Sequence, residues 1–177
     1  MSVRLIFKNL NILRSTINAI STASNIKEII ESAGTNLSNL FGFSSLGVFW
    51  KEGLILYLYQ EESCPPSFTQ SVVENITKVF SILGEESINL RQVPLQVEKR
   101  KLRPNQMMNP QSILKSHLTL PLAVEGEIIG CISLDSDQLN AFDVQDLQFL
   151  SVIGYQMAAT LKHFQRVSSI KNMAIYD

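Results

Sequence analysis

The stretch from Ser116 to His163 constrains the fold of this chain more than any other. Its first segment alternates Leu118, Leu120 and Leu122 against His117 and Thr119. Its second, Glu127 to Asp135, alternates Ile128, Gly130, Ile132 and Leu134 against Ile129, Cys131 and Ser133. Period two on both sides of Glu125-Gly126, which supplies the positive φ of a two-residue turn, predicts an antiparallel hairpin. A helix follows. Asp143 is placed as its N-cap with Asp146 at N3, and Phe142 and Leu147 are spaced as a hydrophobic staple.

The rest of the chain repeats this grammar. Val3, Ile6, Leu10, Leu13, Ile17 and Ile20 recur at spacings of three and four, an apolar seam narrow enough for pairing with another helix. Asn25 and Glu28 form a capping-box pattern opening a second helix, which Gly42 is placed to end. Ser44 to Trp50 and Leu54 to Gln60 read as strands joined at Lys51-Glu52-Gly53, the second apolar on both faces. Pro65-Pro66-Ser67 starts a third helix, with Ser67 and Gln70 as its cap and Gly84 as its stop. From Glu85 to Ser112 the periodicity fades, leaving room for one or two short strands, a charged run at Glu98–Arg103 and an irregular loop. The final helix carries apolar residues through Ile153, Met157, Leu161, Phe164, Val167, Ile170 and Ala174. Some thirty residues would span ~45 Å, longer than a sheet it packs on.

Composition excludes more than it assigns. With 15 Lys and Arg against 16 Asp and Glu, the net charge of −1 gives no electrostatic case for nucleic acid or an acidic membrane. No apolar run reaches the ~20 residues a bilayer requires, and Arg4, Lys8 and Arg14 break any signal-peptide core, so a cytoplasmic protein is expected. Cys64 and Cys131 make neither a disulfide framework nor a metal spacing. Cys131 reads as a small buried hydrophobe.

Several positions carry a resemblance to GAF domains, a family of small-molecule sensing and dimerisation modules. They are Pro121-Leu122, Gly126, Ile129-Gly130, Leu134, Ala141-Phe142, Asp146-Leu147, Phe149-Leu150 and Gln156. The order helix, strand, turn, strand at the front of the chain is similar to a GAF domain as well. The resemblance implies an α/β (α+β) fold. Its central antiparallel sheet would have five or six strands, helices on both faces and long N- and C-terminal helices. The second and last helices would share one face, and Pro66 to Ser112 would cover the other, where GAF domains bind ligands. The expected division is an N-terminal amphipathic helix at 1–24, the GAF-like domain at 25–163 and a helical linker at 164–177.

No nucleophile and base come together in the sequence, and no metal ligand set is present, so no enzyme is expected. The cysteine set of GAF-type methionine sulfoxide reductases is absent, as are the NKFDE-type cyclic-nucleotide motif and the Cys-His pair of bilin attachment. No haem or other cofactor is evident. A small-molecule ligand would meet Trp50, Tyr57, Arg103, His117 and Cys131. A partly buried, hydrogen-bonded role for His117 outweighs a metal-ligand role. Ile6, Leu10, Leu13, Ile17, Met157, Leu161 and Phe164 would form a homodimer interface. Met173–Asp177 resembles the opening of a GGDEF (diguanylate cyclase) domain, implying an input domain that controls a C-terminal cyclase. The competing expectations are a ligand-free dimerisation scaffold, or the input domain of a histidine kinase or transcriptional regulator.

Overall fold

The computed structural model describes residues 3–83, 88–102 and 107–174. Helix α1 (Val3–Thr22) leads into α2 (Ile26–Leu37), and strands β1 (Ser45–Trp50) and β2 (Ile55–Glu61) follow. Helix α3 (Pro66–Ile82), a 3-10 turn (Leu90–Gln92) and β3 (Leu95–Arg100) form the middle of the chain. Strands β4 (Ser116–Val124) and β5 (Glu127–Ser136) and the 31-residue helix α4 (Val144–Ala174) complete it.

The five strands lie in the order β3-β2-β1-β5-β4. Every pairing is antiparallel except β2–β3, which is parallel. That exception corrects the all-antiparallel expectation: α3 carries the chain across the sheet between β2 and β3, so β3 returns in the same direction. Glu125 (φ 55°) and Gly126 (φ 79°) make the β4–β5 turn with two positive φ values, as the hairpin pattern requires. At the β1–β2 turn the positive φ falls on Leu54 rather than Gly53.

Helices α1, α2 and α4 cover one face of the sheet, where Ile29, Ile30, Leu37, Val48, Leu134, Ile153, Met157 and Leu161 are fully buried. Burial of each such side chain contributes about 1.5–3 kcal/mol. Helix α3 covers the other face with Phe68, Val72, Ile76 and Phe80 against Phe49, Leu58 and Cys131. The Phe49 and Phe80 rings meet edge to face at 4.8 Å.

The caps hold in part. Asn25 Oδ1 accepts from Glu28 N at 3.0 Å, and Glu28 reaches back to accept from Ser24 N at 2.7 Å. Asp143 and Asp146 cap each other reciprocally, at 3.0 and 2.8 Å. Two expectations fail. Helix α2 ends at Leu37, capped by Ser38, well before Gly42. Helix α3 has Pro65 at its N-cap, whose ring offers no acceptor, and Pro66 at N1 supplies the helical φ; Gln70 donates to Glu74 and does not cap. The expected stop at Gly84 lies outside the described residues.

Candidate functional site

The β4–β5 ladder contains a one-residue irregularity between Leu122 and Ala123. Above the turn Val124 pairs with Glu127 and Ala123 with Ile128; beyond the irregularity Leu122 pairs with Gly130. Ile129 is the extra residue, and the β-bulge flips the side-chain alternation of β5. Ile128 therefore packs toward α3 while Ile129 is buried on the α4 side, the reverse of unbroken alternation with Ile132 and Leu134. Gly130 makes this possible. A Cβ there would lie 2.0 Å from the Phe49 carbonyl oxygen of β1.

The same shift brings His117 opposite Asp135, and the ladders on either side of β1 continue the row from Asp135 to Ser45 and from Ser45 to Gln60. This row crosses four strands on the α3 side of the sheet. Asp135, Ser45 and Gln60 are completely buried. His117 Nδ1 is hydrogen-bonded to Asp135 Oδ1, and Thr119 Oγ1 lies 2.6 Å from His117 Nε2. Ser133 Oγ donates to Asp135 Oδ2 at 3.0 Å. At the other end Gln60 Nε2 donates to Ser45 Oγ at 3.2 Å, and Thr69 of α3 donates to Gln60 Oε1 at 2.9 Å.

Burial pushes the Asp135 carboxyl above its usual range, while the bonds from His117 and Ser133 pull the other way. Burial wins. Both ring nitrogens of His117 are engaged, so the imidazole is oriented by the fold. Cys131, two residues from Ser133 on the same face, has its thiol pushed up to about 12 by burial. Cys64 Sγ contacts the Ser44 carbonyl at 3.5 Å and Met108 Sδ at 3.3 Å, and Met108 N donates to Ser63 Oγ at 2.9 Å. These contacts draw the 107–115 segment onto the edge of the row. Among the described residues no group of three His, Cys, Asp or Glu side chains is arranged to hold a metal ion.

A family model described as the GAF domain matches residues 23–162. The chain belongs to the GAF family. GAF domains are generally sensory or regulatory parts of signalling proteins and are typically not catalytic. A similar fold occurs in the crystal structure of the GAF domain from an Acinetobacter phosphoenolpyruvate-protein phosphotransferase, at 12% identity and a TM-score of 0.56. That likeness covers 94% of this chain and 98% of the other. "GAF domain-containing protein A" of Dictyostelium discoideum is 48% identical over 42 residues, 24% of this chain. The match spans about a quarter, 27%, of that curated relative's length.

In this GAF domain the expected ligand residues fall on two sides of the sheet. His117 and Cys131 face α3, whereas Trp50 and Tyr57 face the helices α1, α2 and α4. Burial pushes the Tyr57 hydroxyl up, with Glu31 and Glu98 adding to it. Arg103 lies outside the described residues. Of the expected interface, Leu10 is exposed and Leu13, Ile17 and Phe164 are half-buried; the side chain of Ile6 lies outside the described residues. Met157 and Leu161 require correction as interface residues, since both are fully buried within the chain's own core beneath α4. The α1 seam is likewise partly used internally, with Thr16 and Ile20 buried where α1 packs beside α2 and α4.

Sequence reasoning passed over Asp135, Thr119, Ser45, Gln60 and Thr69. The available signal was polar residues at alternate positions, 133 and 135, of an otherwise apolar strand. Among the described residues no helix is long and apolar enough to cross a membrane.

Proposed function

We infer that this GAF domain is a regulatory module that works as a homodimer, with the pairing of its α4 helices carrying its state to an output domain. One observation supports the reading above the others. Among the described side chains the buried residues of α4 end at Leu161, yet the helix runs on to Ala174 with Val167 and Ile170 exposed, Ile170 to 62%. An apolar stripe that its own chain does not cover is suited to a second copy of the same helix. Leu10 of α1 and Val152 of α4, exposed beside each other along one shallow groove, extend the apolar surface. The resemblance of Met173–Asp177 to a GGDEF opening makes a diguanylate cyclase the output this reading names. Cyclase domains react face to face, and helix register is a sensible control of their spacing.

The test is a chimera joined through α4 to a diguanylate cyclase domain, with one to four alanines inserted after Ser168. Each inserted residue turns the output by about 100° relative to the sensor. Cyclic-di-GMP formation should rise and fall with the phase of the insertion. Output indifferent to insertion length would overturn the reading.

A second reading, a GAF scaffold with no ligand on the α3 side, is supported by the packing of that face. Phe49, Phe68, Phe80, Met108 and Cys131 fill it with the chain's own side chains. Isothermal titration of the wild-type chain, beside a Met108→Ala variant that opens the face, against candidate small molecules would test it. Saturable binding to the wild-type face would remove it.

A further inference from the structure

Two glutamates flank the glycine at the tip of the β4–β5 hairpin, and both reach α4. Glu125 Oε2 accepts from Arg166 Nη2 at 2.5 Å, and Glu127 Oε2 accepts from Lys162 Nζ at 2.5 Å. Lys162 and Arg166 are four residues apart, so they stand one above the other on a single face of the helix, about 6 Å apart along its axis. The bond from Lys162 also holds the Glu127 carboxyl below its ordinary value. The tip is itself anchored to the sheet. Lys51 N, at the end of β1, donates to the carbonyl of the bulged Ile129 at 2.9 Å, and Gly130 abuts the Phe49 carbonyl.

The two ion pairs lie where α4 leaves its own core. Among the described side chains Leu161 is the last that is fully buried, and Phe164 is half-buried against the same cluster. A helix end with few buried contacts opens locally at small cost. An exposed ion pair shifts such an equilibrium by about two- to fivefold, little for the fold as a whole but enough to bias this segment. Direction matters as well. Around the helix axis the mean direction of Lys162 and Arg166 lies about 90° from that of Val167 and Ile170. The glutamates therefore grip a flank of α4 and leave its apolar stripe uncovered.

We propose that the tip of the β4–β5 hairpin is a charge clasp that fixes the rotation of the C-terminal half of α4, and that parting of the two ion pairs frees this half to turn. As a hold on α4 the clasp stands without the dimer. As a switch it rests on the regulatory reading, since it sets which face of the helix is turned outward.

Hydrogen–deuterium exchange of the whole chain at low salt tests the clasp. Glu125→Lys/Glu127→Lys should speed exchange in peptides covering residues 162–174 by about fivefold, while peptides covering 144–157 keep the wild-type rate. Adding Lys162→Glu/Arg166→Glu to that variant restores opposite charges and should return exchange to the wild-type rate. Sodium chloride at about 1 M should speed exchange of 162–174 in the wild type and leave Glu125→Gln/Glu127→Gln unchanged. The same differences should persist in the Val167→Glu/Ile170→Glu background, which separates loss of the clasp from loss of α4 pairing. Equal exchange in the wild type and the charge-reversed variant would overturn the proposal. So would a rise spread over all of α4, or a four-residue swap that fails to restore protection.

Discussion

His117 and Asp135 stand directly opposite each other across the β4–β5 ladder, joined by a hydrogen bond between Nδ1 and Oδ1, with the Asp135 carboxyl fully buried. The pairing makes stability depend on pH in a defined direction. Burial holds the Asp135 carboxyl above its ordinary value of 3.8 in the folded state. Between that value and the raised one the native state binds the proton more readily than the unfolded chain, so stability falls as pH rises through this window. Asp135→Asn should remove that downward contribution from about pH 4 upward. Asp135→Ala, which leaves His117 and Ser133 without their acceptor, should cost about 1–3 kcal/mol. Urea unfolding midpoints across a pH series read both.

Gly130→Ala tests the close approach at the bulge. The new Cβ would lie 2.0 Å from the Phe49 carbonyl oxygen, a backbone atom held in a central strand. Relief requires separation of β1 from β5, with an expected loss of about 3 kcal/mol in chemical denaturation. Gly42→Ala, where nothing lies within 4 Å of the added Cβ, is the matched control.

The two thiols should be silent in the native protein. Cys64 and Cys131 are both buried out of a reagent's reach, and burial also pushes the Cys131 thiol up to about 12. A disulfide reagent should label them at the rate of opening, with two equivalents reacting at once in denaturant. Fast native labelling of Cys64 would show the 107–115 segment open.

Helix α4 divides into a half that stabilises its own domain and a half that does not. Met157→Ala should cost about 2–5 kcal/mol, since the side chain is fully buried between α4 and the sheet. Ile170→Ala, at a position 62% exposed, should change the stability of the isolated fold by no more than about 0.5 kcal/mol. Thermal unfolding at low protein concentration separates the two.

The hairpin, the long terminal helices and the Asn25 and Asp143 caps were legible because each rests on local chemistry: period, turn glycine, N-cap oxygen. The His117–Asp135 row was not. An unbroken two-residue hairpin at Glu125-Gly126 pairs His117 with Leu134. Only the bulge at Ile129, seated by the contact of Gly130 with β1, moves it to Asp135. That contact lies between residues some eighty positions apart in the chain, and nothing near Ile129 announces it. Nor did the α1 and α4 stripes reveal their partners. Three- and four-residue spacing says that a face is apolar, and cannot tell Leu161, packed on the chain's own sheet, from Ile170, which has no cover.

The dimer through the exposed end of α4 is the central claim, and sedimentation velocity of the chain beside a Val167→Glu/Ile170→Glu variant tests it most directly. A dimer that becomes a monomer on introduction of the two charges, with the same far-ultraviolet circular dichroism, is the predicted result. A wild-type chain that sediments as a monomer at micromolar concentration, or a dimer unaffected by both charges, would contradict it.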